Sequence, residues 1–211
     1  MALIIFAFVH SRRRKQFEKQ IQNFHKSDSA ASIKALDLLK PLEVNRECVS
    51  ILNELGDGQF GKVYEGSAVG LPNNKSIVTV AVKFLHDESS ESQEAFLSEA
   101  SRMLKLTHPR FVQLLAVCFE SAPNFIVLEH MSNGDLKHFL MEHKEAYMSG
   151  SAETCISVMH RMSCELSAAM VYLESINYVH RDLAARNVLV DSSESLKLGD
   201  FGECKAIVAF M

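Results

Sequence analysis

The sequence predicts an α+β fold in two parts: a β-rich small lobe with one helix over about residues 49–131, then a helical lobe over 132–211. Three observations predict it. Ile77-Val78-Thr79-Val80-Ala81-Val82-Lys83-Phe84 is a β-branched run of strand character. Apolar runs at Phe111–Phe119 and Phe125–Leu128 read as two further strands. Ile156, Met159, Met162, Leu166, Ala169, Met170 and Leu173 recur at helical spacing, which predicts a long helix over Glu153–Ser175.

Bulk properties narrow the function classes. The 211 residues suffice for one or two ordinary domains, and 47% apolar with 23% charged residues is usual for a globular chain. A net charge of -4 gives no basic surface for nucleic acid. The five cysteines, at 48, 118, 155, 164 and 204, are odd in number and form no C-x-x-C pair. Neither a disulfide framework nor a zinc site is indicated, and reduced thiols in a cytosolic compartment follow.

The chain starts with an almost wholly apolar stretch, Ala2 to Val9, followed by Ser11-Arg12-Arg13-Arg14-Lys15. Such a stretch is too short to span a bilayer, which takes about 20 residues, and its charges stand on the wrong side for a signal peptide. It reads as the cytoplasmic end of a membrane helix that continues upstream, with the basic cluster as its positive-inside flank. An incidental start, frayed or packed on the surface of a cytoplasmic protein, is the plainer alternative. Gln16 to about Arg46 is polar and reads as a linker with one short helix, broken at Pro41. Residues 1–48 are therefore expected to be a membrane-proximal remnant and linker.

From Val49 the texture changes. Ile51 to Leu55 reads as a strand, and Gly56, Gly58 and Gly61 follow at the spacing G-x-G-x-x-G, with Val63 two positions later. Glycines so spaced let backbone approach phosphate oxygens without a Cβ in the way. Alone the pattern also fits a dinucleotide fold, but here a strand follows rather than a helix. In the strand at 77–84, alternation puts Val78, Val80 and Val82 on one face and Ala81 and Lys83 on the other. A lysine there either reaches solvent at an edge or is held against phosphates, and the glycine loop upstream favours the second. Asp87–Thr107 reads as a helix with a Ser90/Gln93 capping box and an apolar face of Phe96, Leu97, Ala100, Met103 and Leu104. Glu99 stands beside that face, where a solvated glutamate is the ordinary outcome. After the strands at 111–119 and 125–128, Glu129-His130-Met131 leads to Ser132-Asn133-Gly134-Asp135, and Leu136 to about Lys144 looks helical. The long helix at 153–175 then runs into His180.

The chemistry concentrates in His180-Arg181-Asp182-Leu183-Ala184-Ala185-Arg186-Asn187, with Asp200-Phe201-Gly202 beginning thirteen residues past Asn187. Asp182 can accept a proton from a hydroxyl, while Asn187 and Asp200 offer oxygen ligands to magnesium. This order of residues resembles the catalytic loop and metal-binding motif of protein kinases, and the tyrosine-specific, receptor-type branch in particular.

The resemblance implies a protein-kinase-like two-lobed fold whose large lobe is incomplete, with ATP and Mg2+ between the lobes. It makes Asp182, Arg186, Lys83 and Glu99 catalytic, with Glu99 as the partner of Lys83, and Asn187 and Asp200 the metal ligands. The implied ATP-binding set is Leu55, Gly56, Gly58, Gly61, Val63, Ala81, Lys83, Glu129, Met131 and Leu189, with Glu129-His130-Met131 as the hinge to the adenine edge and Leu128 as gatekeeper. In the serine/threonine branch a lysine stands two positions after the catalytic aspartate. Here Ala184 stands there and Arg186 two further on, which implies tyrosine as acceptor and tyrosine-bearing proteins as partners. The basic flank at 12–15 adds attachment to the cytoplasmic side of a membrane. The resemblance covers about Val49 to Lys205, and nine residues follow Gly202. The expectation is a kinase domain that stops just past Asp-Phe-Gly, without an Ala-Pro-Glu motif, and transfers little phosphate by itself. The alternative is a catalytically silent ATP-binding or dominant-negative fragment acting as an interaction module.

Overall fold

A computed structural model describes residues 30–58, 61–85, 87, 89–119 and 122–206. The apolar start at 2–9, the basic cluster at 12–15 and the tail at 207–211 lie outside the described residues. The chain divides into two compact units, Met1–Leu104 with Leu114–Glu129, and Lys105–Gln113 with His130–Met211.

The first unit is built on an antiparallel sheet of five strands: β1 (Val49–Gly58), β2 (Gly61–Ala68), β3 (Val78–Phe84), β4 (Leu114–Cys118) and β5 (Phe125–Glu129), in spatial order β1-β2-β3-β5-β4. Alternation along β3 decides which side is core. Val80 and Val82 are fully buried in one cluster with Ala116, Cys118, Phe125 and Val127, and Val78 packs against it. Ala81 and Lys83 project to the opposite face and are buried as well. Phe111 and its neighbours do not extend β4, which starts only at Leu114. Phe111 instead bridges Leu198 in the second unit, of which it is part.

The segment expected as a linker holds a helix, α1 (Ala30–Leu39), and two single 3-10 turns at Lys40–Leu42 and Arg46–Cys48. Leu36, Leu39, Leu42 and Val44 are buried, Val44 within the sheet's own core cluster. Val44 N donates to Val117 O at 2.9 Å, so this stretch is pinned to β4 by backbone. Each such leucine contributes roughly 1.5–3 kcal/mol by leaving water, which is why a segment of linker-like composition is packed.

Helix α2 (Ser90–Lys105) buries Phe96, Leu97, Ala100 and Met103, the expected face, and also Glu99. Its cap is not Ser90. Ser89 stands one residue before the helix and its Oγ accepts from Ser92 N at 3.3 Å, leaving Ser90 as the first helical residue. The cap falls on Ser89 because Asp87 Oδ1 takes Ser89 N at 2.7 Å and turns the chain there.

The second unit contains α3 (Leu136–Glu142), α4 (Lys144–Ser149) and the long α5 (Ala152–Ser175). Asp135 caps α3 by accepting from His138 N at 3.1 Å. Of the residues predicted for the apolar face of α5, Met162, Ala169 and Leu173 are buried while Ile156 is 67% exposed. After α5 come the short pair β6 (Tyr178–Val179) and β9 (Lys205–Ala206), and the hairpin β7 (Val188–Val190) with β8 (Leu196–Leu198). No helix among the described residues is long and apolar enough to cross a membrane.

Candidate active site

Two groups of side chains stand out, one in each unit. In the first, β3 carries Lys83 onto the sheet face opposite the valine core, and α2 brings Glu99 against it. Lys83 Nζ lies 2.7 Å from Glu99 Oε1 and 2.9 Å from Oε2, and the two side chains are only 10% and 2% exposed. The edge-lysine and solvated-glutamate readings are therefore both set aside. Around the pair, register places Val63 opposite Lys83 and Ala81 opposite Leu128. Leu55 is exposed on β1, and Glu129 ends β5. Gly56 and Gly58 close β1, pairing with Val63 and Gly61, so the glycine loop is a β-hairpin end rather than a strand-to-helix turn. Gly61 has φ 134°, a conformation that a side chain disfavours.

In the second unit, the segment from His180 to Asn187 forms an extended loop that ends in a 3-10 turn at Ala185–Asn187. That turn swings Arg186 and Asn187 back onto Asp182. Asn187 Nδ2 donates to Asp182 Oδ2 at 2.8 Å and to Asp182 O at 2.8 Å. Arg186 Nη2 donates to Asp182 Oδ1 at 2.6 Å. Both carboxylate oxygens are thus engaged, and these bonds, Asn187's first and Arg186's next, hold the Asp182 carboxyl below the ordinary aspartate range. Asp182 is an ionised acceptor aimed by its neighbours.

Asn187 spends its amide nitrogen on Asp182, which leaves Oδ1 with no donor among the described residues. Among the described residues, Asp200 receives Gly202 N alone, at 3.3 Å on Oδ1. These are hard oxygen donors, and the described residues contain no cluster of three or more His, Cys, Asp or Glu that could hold a metal without further ligands. One carboxylate and one amide oxygen fit magnesium, which keeps several waters and takes phosphate oxygens as further ligands. The β7–β8 hairpin sets their spacing, since Gly199 N donates to Asn187 O at 2.8 Å. Arg181 (φ 72°) and Asp200 (φ 53°) both have left-handed backbone. Non-glycine residues held so are enriched at functional sites. Of the remaining predicted residues, Met131 is buried, and Leu189 sits in β7, bridging Asp135.

Two residues of this neighbourhood had no individual role legible in the sequence. His180 is 1% exposed, and one ring nitrogen meets Gly199 O at 3.0 Å, tying the loop to the residue before Asp200. Its ring also packs edge-on against the buried Phe201, at 5.5 Å between centroids. Glu165, on α5, is 8% exposed and accepts from Leu196 N at 2.7 Å. A glutamate placed among the apolar positions of a helical pattern was its signal in the sequence.

Residues 49–209 match the family model for protein tyrosine and serine/threonine kinases. The chain is 40% identical over 167 residues to tyrosine-protein kinase SRK2 of Spongilla lacustris, covering 79% of this chain and 42% of that one. It is 41% identical to the tyrosine-protein kinase transforming protein Abl of Abelson murine leukemia virus, over 76% of this chain and 20% of the relative. It is 34% identical over 210 residues to the insulin-like growth factor 1 receptor of Bos taurus, over 97% of this chain and 33% of the receptor. The chain thus spans less than half the length of these curated relatives.

Proposed function

Because this chain belongs to the protein tyrosine and serine/threonine kinase family, we propose that it carries the nucleotide- and metal-handling parts of a tyrosine kinase, which moves the γ-phosphoryl group of ATP to a protein tyrosine. The observation that carries this reading is Asp182, ionised and held at both oxygens by Asn187 and Arg186. Such a carboxylate accepts the phenol proton as the tyrosine oxygen bonds to phosphorus and the bond to the ADP oxygen breaks. Arg186 places positive charge beside that oxygen, where a phosphoryl group carries its negative charge. Lys83, fixed by Glu99, holds phosphate oxygens, and the backbone of the glycine hairpin covers them. Asn187 and Asp200 hold magnesium, which when bound neutralises charge on the phosphates. Phosphoryl transfer needs positioning and charge more than covalent help, and these residues offer both.

Tyrosine as acceptor is supported by Ala184 and Arg186, and by the tyrosine kinases among the relatives. The receptor match, which covers 97% of this chain, and the apolar-then-basic start support a kinase attached to the cytoplasmic side of a membrane.

The test is binding followed by transfer. Mg-ATP should raise the melting temperature of the chain by linkage, and Lys83→Met should reduce that rise. Any phosphate transferred should go to the tyrosine member of a matched tyrosine/serine peptide pair and be lost in Asp182→Asn. No stabilisation at millimolar Mg-ATP, or transfer to serine, would overturn the reading.

A further inference from the structure

Glu165 stands on the buried side of α5, yet nothing in the chemistry above uses it. Its Oε2 accepts from Leu196 N at 2.7 Å, and Arg110 Nη1 lies 3.2 Å from Oε1, with Arg161 Nη1 at 3.6 Å. Arg110 holds the same strand a second time, because its backbone carbonyl accepts from Leu198 N at 2.7 Å. Val112 N returns a bond to Leu198 O at 3.0 Å.

The pattern has a geometric meaning. In an antiparallel hairpin, alternate backbone groups of a strand face its partner and the intervening ones face away. Lys197 pairs with Leu189 of β7, and Gly199 N reaches Asn187 O. Leu196 and Leu198 direct their N–H groups the other way, where Glu165 and Arg110 take both. Strand β8 is therefore held along both edges. Asn187 immediately precedes β7, and Asp200 follows β8 by two residues. The placement of the two oxygen ligands is the placement of this hairpin's open end.

We propose that Glu165, its charge balanced by Arg110, is a positioning residue that clamps β8 and so sets the spacing of Asn187 and Asp200 for a divalent cation. This rests on the kinase reading above. The bond from Leu196 N to a carboxylate is charge-assisted and stronger than a neutral one. The guanidinium groups, Arg110 at 3.2 Å and Arg161 at 3.6 Å, are what allow a carboxylate to stay buried there, since an uncompensated charge in that place is strongly unfavourable. Outer-sphere partners of this kind typically alter metal affinity by about 10–100-fold.

The experiment compares ATP affinity with magnesium and in EDTA, on the full 211-residue chain. The quantity read is the gain in affinity that magnesium brings. Glu165→Leu should lose about tenfold of that gain while ATP affinity in EDTA stays at the wild-type value. Glu165→Gln, whose amide oxygen can still accept from Leu196, should keep most of it. If Glu165→Leu fails to fold by circular dichroism, Arg110→Met leaves the acceptor for Leu196 in place and is judged by the same gain, which should fall. A wild-type gain in Glu165→Leu, or in Arg110→Met where that variant is used, overturns the proposal. So does an equal loss in EDTA and in magnesium, which marks general loosening. Wild-type chain that binds no ATP in either buffer overturns the kinase reading, and this proposal with it.

Discussion

Asn187 grips Asp182 twice through one nitrogen, taking its backbone carbonyl and its carboxylate, each at 2.8 Å. The double bond-set fixes both the position of the main chain and the direction of the side chain. It also sorts the two ends of the amide, with nitrogen toward the acceptor carboxylate and oxygen left for a cation. One residue thereby couples the carboxylate proposed to receive a proton to the oxygen proposed to hold a metal.

That coupling has a pH signature. Hydrogen bonds from Asn187, then Arg186, favour the charged form of Asp182 and lower its pKa. A carboxyl lowered on folding contributes stability that is present above its unfolded pKa and is lost as pH falls through the folded one. Asn187→Ala should therefore move the Asp182 titration up toward the ordinary aspartate range, and Arg186→Gln should do so to a smaller degree. Carboxyl carbon chemical shifts followed against pH measure this directly. An unmoved midpoint in Asn187→Ala would contradict the assigned cause.

Gly66 tests the sheet on which Lys83 rides. A Cβ there would stand 2.7 Å from the Ser50 carbonyl oxygen and 3.2 Å from Val82 Cγ2. The obstacle is backbone of β1, so the strand must shift. Gly66→Ala should destabilise by about 1–3 kcal/mol, as overpacking does. Urea unfolding measures it, and a stability equal to wild type would mean the β1–β2 register is looser than described.

Much of the molecule was legible because it follows local rules. Val80 and Val82 announce a strand by alternation, Phe96 to Met103 a helix by spacing, and the residues from His180 to Asn187 a site by order alone. What was not legible depends on distant partners. Glu165 looks like a solvated helix residue until Arg110 and Leu196, far off in sequence, arrive beside it. The cap of α2 moved from Ser90 to Ser89 because Asp87 turns the chain first. Phe111, strand-like in composition, was drawn to Leu198 rather than into β4. The one short helix expected in the linker is α1, but the burial of its leucines was not legible, since only the sheet shows which of them matter.

Leu39 decides whether α1 belongs to the folded unit. It has no exposed surface, whereas its neighbour Leu38 is 36% exposed. Leu39→Ala should cost about 2–5 kcal/mol, and Leu38→Ala no more than about 1 kcal/mol, in urea unfolding followed by circular dichroism. Equal and small effects would return the segment to the status of a linker.

The last prediction concerns the ion pair of Lys83 and Glu99. Two readings of Glu99 compete on magnitude. A solvated surface glutamate can be replaced within about ±0.5 kcal/mol. A buried partner cannot, because its removal takes a carboxylate held at 2.7 Å from a lysine that is itself only 10% exposed in its side chain. Breaking a buried pair from one side costs about 3–5 kcal/mol, so Glu99→Ala should fall near that range. Replacing both members with apolar residues of similar size is often close to neutral. The double variant Lys83→Met with Glu99→Leu should therefore be more stable than Glu99→Ala alone, although it loses the group proposed to hold phosphate. The pattern is a cycle with strong coupling, read by urea unfolding without nucleotide. Additive losses would show that the two side chains act independently. A stable double variant that no longer gains stability from Mg-ATP would show that this buried pair serves ligand binding rather than folding.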